Sequence, residues 1–222
     1  MTRPLTMLRN DPTVKSEGKS FVEWYQSMTP QYQHNNIIYI DESPFNLHMF
    51  RSHGWALVGE THNPVIPTSR GPNVSMILAL NSINIIYYEA IVGLGVNSSI
   101  FNEFLTEIRK TLGTEQIYII VMDNARFHHS NPQFYDDYPY EIKYLPIYSL
   151  FLNPGEEVFN LIKNQGRRDS RPTGANDRIQ RMRSICATVT SYQLLEFVLH
   201  IESFSNMCLN EEDCNKQPCR LS

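Results

Sequence analysis

Three acidic residues stand where a fold could use them for chemistry. Asp41 ends the apolar run Ile37-Ile38-Tyr39-Ile40, Asp123 ends the run Ile117 to Met122, and Glu156 follows Asn153-Pro154 at the head of an amphipathic segment. Carboxylate oxygens are what hard divalent cations such as Mg²⁺ prefer, so a fold that brings the three together makes a metal site. Each acid also has a plainer reading. Asp is a favoured turn residue after a strand. Asn153 with an acid three positions on fits a capping box, in which Glu156 would only return to the backbone N–H of its cap. Helical spacing does not separate Glu156 from Glu157 either, because both are expected away from the face formed by Val158, Leu161 and Ile162.

The elements that must position these acids follow from periodicity. Short apolar runs rich in β-branched residues and Tyr read as buried strands, and an acid at the end of such a run sits at the rim of a sheet, where active sites of α/β folds gather. After the strand Ile37–Asp41 come a turn-like Ser43-Pro44-Phe45 and a Pro-rich loop. Two strands at Val74–Leu80 and Ile83–Ala90 are expected to form a hairpin across Asn81-Ser82. Phe101, Phe104, Leu105, Ile108 and Leu112 then make one helical stripe, which Asn97, Ser98 or Ser99 can cap and Gly113 can end. A strand at Ile117–Met122, a weak strand at Ile142–Leu145 and a helix from Pro154, capped by Asn153, come next. Two amphipathic helices, around Ile179–Val189 and Leu194–Leu199, close the pattern. The expected fold class is α/β, a mixed sheet flanked by helices in a ribonuclease H-like layout. Residues 1–36 read as a lead-in with one short amphipathic stretch (Phe21 to Met28), 37–205 as the catalytic domain and 206–222 as a loose tail.

Composition narrows the class. The 222 residues are 41% hydrophobic and 11% aromatic, enough for a packed core. No run approaches the length of a membrane span and the N-terminus lacks an apolar signal core, so an intracellular protein is expected. Cys186, Cys208, Cys214 and Cys219 lack the paired spacing of zinc sites and read as reduced thiols. A net charge of −4 argues against a nucleic-acid partner, but its distribution does not. Lys163, Arg167, Arg168, Arg171, Arg178, Arg181 and Arg183 face only Asp169 and Asp177 in the stretch 163–183. That stretch could follow a phosphate backbone, or simply be a solvated helix face.

Four blocks in order over most of the segment 40–159 resemble the DDE-type transposases of the mariner superfamily. They are Ile40-Asp41-Glu42-Ser43-Pro44-Phe45-Asn46; His53-Gly54-Trp55-Ala56 with Gly59; Met122-Asp123-Asn124-Ala125-Arg126-Phe127-His128; and Leu145-Pro146-Ile147-Tyr148-Ser149 followed by Leu152-Asn153-Pro154-Gly155-Glu156-Glu157-Val158-Phe159. The resemblance implies a ribonuclease H-like five-stranded sheet and a catalytic triad of Asp41, Asp123 and Glu156. It picks Glu156 over Glu157. It further implies Mg²⁺, with Mn²⁺ as substitute, held by the same three acids; DNA as partner, with Lys163, Arg167, Arg168 and Arg171 near the phosphates; a homodimer; and a nuclear location. Asn124 and His128 would help orient substrate, His128-His129 does not make a transition-metal site, and Trp55 is a packing residue. Leu150 and Gly155 depart from the family, standing where Pro and a branched apolar residue are common. The family's helix-turn-helix modules have no room in residues 1–36, so the resemblance covers the catalytic half. Two alternatives stay open: a decayed or domesticated remnant that binds DNA or protein without cutting, and a ribonuclease of the same fold.

Overall fold

A computed structural model describes residues 10–45, 72–93, 95–125, 132–166 and 173–214. Its centre is one five-stranded sheet in the order β3-β2-β1-β4-β5, with β1 Ile37–Phe45, β2 Val74–Leu80, β3 Ile85–Val92, β4 Ile119–Met122 and β5 Glu141–Tyr144. The first three strands run antiparallel. β4 and β5 run parallel to β1, so β1, β4 and β5 all point their C-terminal ends at one rim. Among the described residues no helix is long and apolar enough to cross a membrane.

Alternation along the strands feeds two cores. On one face Ile38, Ile40, Ile77, Ile120 and Met122 pack against Phe101, Phe104, Leu105 and Ile108 of α3 (Ser98–Leu112). Asn97 caps that helix by accepting from Ile100 N–H, and Gly113, with φ of 71°, ends it. On the other face Ile37, Tyr39, Phe45, Met76, Leu78 and Val121 pack against α1 (Pro12–Gln26), α5 (Gly155–Gly166), α6 (Ala175–Cys186), α7 (Ser191–Glu202) and α8 (Ser205–Leu209). α2 (Pro30–Asn36) leads into β1 and α4 (Pro132–Asp136) precedes β5. The result is the expected mixed sheet with helices on both faces.

Several boundaries differ from expectation for physical reasons. β1 continues through Ser43-Pro44-Phe45, because there its far side has no strand neighbour among the described residues and a residue without an N–H costs nothing. The β2–β3 connection uses four residues: Asn81 Oδ1 accepts from both Ile83 N–H and Asn84 N–H, closing the turn locally. The amphipathic stretch at residues 21–28 belongs to a longer α1 whose Phe21, Val22 and Tyr25 are buried in the core. Residues 206–209, expected to trail, belong to α8 (Ser205–Leu209), and Cys208 and Cys214 are buried. Cys186 is a buried free thiol.

Candidate active site

Asp41 projects from β1 just beyond the last β1–β4 pair, Tyr39↔Val121, and Asp123 follows the end of β4 at the same rim. Glu156 reaches that rim from the first turn of α5. A buried clamp docks that helix: Asn153 Nδ2 donates to Ile40 O at 3.0 Å, and Asn153 Oδ1 accepts from Gly155 N–H at 2.9 Å. The backbone N–H of Asn153 is taken by Leu150 O at 3.0 Å. The expected cap therefore acts as a strap between strand and helix, and its backbone N–H serves the turn before it rather than Glu156.

Gly155 explains how closely the two elements approach. A Cβ placed there would lie 2.5 Å from the Asp41 Cβ and 3.0 Å from Asp41 Oδ2. Any side chain at 155 would have to push α5 off β1. The departure noted in sequence is thus the feature that lets α5 lie directly on Asp41.

Asp41 is 9% exposed. Its Oδ1 accepts from Glu42 N–H at 2.9 Å, while Oδ2 is buried with no hydrogen-bond partner. Burial, then the charge of Glu156, pushes its carboxyl well above the ordinary range; the Glu42 N–H opposes this, and Asp123 and Glu42 add to it. Asp41 therefore feels the charge of both other predicted acids. Sequence reasoning passed over Glu42, whose carboxyl burial and Asp123 push up to about 8. Its adjacency to Asp41 at a strand end was the available signal.

Glu156 and Glu157 part company in the fold. Glu157, expected on the outer side of the helix, is buried beside α7, its Oε1 3.7 Å from His200 Nε2. Burial raises its carboxyl, His200 opposes that and Glu156 adds to it. Glu156 is half-buried, and its charge acts on Asp41. Lys163, two turns further along α5, points inward too: it donates to the Ser43 hydroxyl and lies 5.3 Å from the Phe45 ring and 5.9 Å from the Phe159 ring. Arg167, Arg168, Arg171, Trp55, His128, His129 and Cys219 lie outside the described residues.

A buried rim acid with an unmet oxygen, flanked by two further carboxylates, suits a hard divalent cation by donor type. Among the described residues, however, no three Asp, Glu, His or Cys side chains stand close enough to ligate one ion as placed.

The family model described as DDE superfamily endonuclease matches residues 36–180, a span that contains Asp41, Asp123 and Glu156. The chain belongs to this family. No curated protein matches it by sequence. Among solved structures, the DDE endonuclease chain is similar to a pre-cleavage Mos1 transpososome (TM-score 0.76, 16% identity, 97% of this chain and 67% of that one). It is similar also to the Mos1 mariner paired-end complex with Mn (0.75, 16%, 96% and 65%). A third likeness is to the isolated catalytic domain of Mos1 mariner transposase (0.70, 13%, 95% and 96%). At these identities the likeness establishes the ribonuclease H-like fold. The DDE endonuclease chain spans about two thirds of the Mos1 chains in the complexes and nearly all of the catalytic domain.

Proposed function

We propose that this chain is a transposase catalytic domain that cleaves DNA and transfers strands, using Asp41, Asp123 and Glu156 as catalytic residues and as ligands for Mg²⁺, with Mn²⁺ as substitute. The observation that carries this reading is the Asp41 carboxylate, buried, short of one partner and loaded with the charges of Glu156 and Asp123. Like charges are held together at such a cost where a cation is to be bound. Family membership and the similarity to a Mos1 complex with Mn support it. When bound, divalent cations in such a site lower the pKa of an attacking water or hydroxyl and neutralise charge on the phosphate and leaving oxygen.

The chain's own residues do the positioning. Asp41 is oriented by the Glu42 N–H and backed by Gly155, so Oδ2 has one place to go. Glu156 stands in the first turn of α5. Glu157 is engaged with His200 and is not a ligand in this reading. DNA is the partner, with Lys163, Arg167, Arg168 and Arg171 near its phosphates; binding should then weaken steeply with salt. A homodimer and a nuclear location belong to the same reading.

The spread of the acids favours a second reading, a domesticated domain that binds DNA or protein without cutting. Nicking of supercoiled plasmid in Mn²⁺ or Mg²⁺ decides between them, with Asp41→Ala, Asp123→Ala, Glu156→Ala and Glu157→Ala alongside. Nicking confined to wild type and Glu157→Ala supports the catalytic reading. A folded wild type that binds DNA but never nicks supports the second.

A further inference from the structure

β1 is paired with β4 only from Ile37↔Ile119 to Tyr39↔Val121, whereas its pairing with β2 continues to Phe45↔Val74. Among the described residues, 40–45 therefore form an overhang with a strand on one side only, and Asp41 stands near its base. Such a segment twists freely unless something other than the ladder holds it. At its base the Asn153 side chain holds Ile40 O. At its tip stands Arg178 of α6.

Arg178 is 2% exposed. Its Nη1 donates to Phe45 O at 2.8 Å, its Nη2 to Pro72 O at 2.7 Å and its Nε to Gly174 O at 3.3 Å. Among the described residues no carboxylate pairs with it; main-chain carbonyls alone meet the charge. One planar fork thus joins the last residue of β1, the approach to β2 and the start of α6. Only a guanidinium offers donors spaced for two separate carbonyls at once. A buried cation without an anion is costly for a fold, and a methionine would fill the same space without that cost. The expense points to a task of geometry.

We infer that Arg178 is a positioning residue for the carboxylate site: with Asn153 it fixes both ends of the overhang that carries Asp41, and so sets where Asp41 stands relative to Glu156. It touches none of the acids and acts through β1. This rests on the function proposed above.

Arg178→Lys, which keeps the charge and loses the fork, and Arg178→Ala test it in the full chain. Three readouts apply: hydrogen exchange at residues 41–45 against α3, Mn²⁺ binding by electron paramagnetic resonance, and plasmid nicking across a Mn²⁺ titration. Exchange in the overhang should rise at least about tenfold with α3 unchanged, Mn²⁺ affinity should fall about tenfold, as for loss of other groups that orient ligands, and added Mn²⁺ should restore part of the nicking. Guanidinium ion should partly restore Arg178→Ala. Wild-type exchange in Arg178→Lys, unchanged Mn²⁺ affinity despite faster exchange, or global unfolding of Arg178→Lys would each overturn the positioning role. Should wild type itself neither bind Mn²⁺ nor nick, the proposed function falls, and unaltered exchange at 41–45 would then overturn the tether separately.

Discussion

Tyr39 and Asp41 are neighbours on one face of β1, and their surroundings are opposites. Beside the buried Tyr39, Tyr25 donates to Glu202 Oε1 at 2.6 Å, and His34 Nε2 lies 3.2 Å from the same oxygen. That network ties α1, α2 and α7 together, with polar groups of complementary kind. One step along the strand, Asp41 meets carboxylates and keeps an oxygen without a donor. A satisfied buried network specifies and stabilises a core, whereas a half-satisfied one of like charge strains it. The same sheet face thus holds a structural polar cluster and the proposed site, and charge sign with hydrogen-bond satisfaction tells them apart.

The contrast can be broken most drastically at Asp41. Asp41→Asn keeps an acceptor for the Glu42 N–H but removes the repelled charge. It should drop nicking to the no-protein background while raising the metal-free melting temperature. Relief of about 1–3 kcal/mol at roughly 2–4 °C per kcal/mol for a chain of this size would be plain in a thermal scan. Destabilisation instead would mean that Asp41 is structural. Gly155→Ala comes next. Its methyl would collide with Asp41, so a loss of about 1–3 kcal/mol together with loss of the Mn²⁺ response is expected in a melting titration.

On the satisfied side, Tyr25→Phe and Glu202→Gln should each lower stability by about 1–3 kcal/mol and leave the Mn²⁺-induced rise in melting temperature as in wild type. A loss of that response would dissolve the distinction between the two clusters. The subtlest test separates adjacent glutamates: Glu156→Gln should abolish the Mn²⁺-induced shift, and Glu157→Gln should retain it. The reverse order would move the ligand role to Glu157.

Asp123 was legible in sequence as the acid that closes a strand's apolar run, and the α3 stripe and caps were legible for the same reason; Asp41 closes its apolar run too, but β1 continues past it to Phe45. What sequence could not show depends on docking. That Glu157 is buried beside α7 follows from His200, which α7 brings within 3.7 Å of its carboxylate. Lys163 looked like part of a surface charge run, yet its place two turns after Glu156 puts it on the side of α5 that meets β1. Arg178 was readable in principle, since it shares the i, i+4, i+8 stripe with the buried Met182 and Cys186; its charge hid it among the other arginines. The length of β1 was missed because Pro44 reads as a strand breaker until the missing neighbour on its far side is seen.

Gly155 also bears on how such a chain can change over generations. With a glycine there, α5 has settled against Asp41 at a separation that leaves no space for a β-carbon. A single mutation to a branched residue there would strike the site before any neighbour had adjusted. The closeness that orients Asp41 acts as a ratchet: substitutions elsewhere in α5 and β1 must come first, and until they do the lineage holds its glycine.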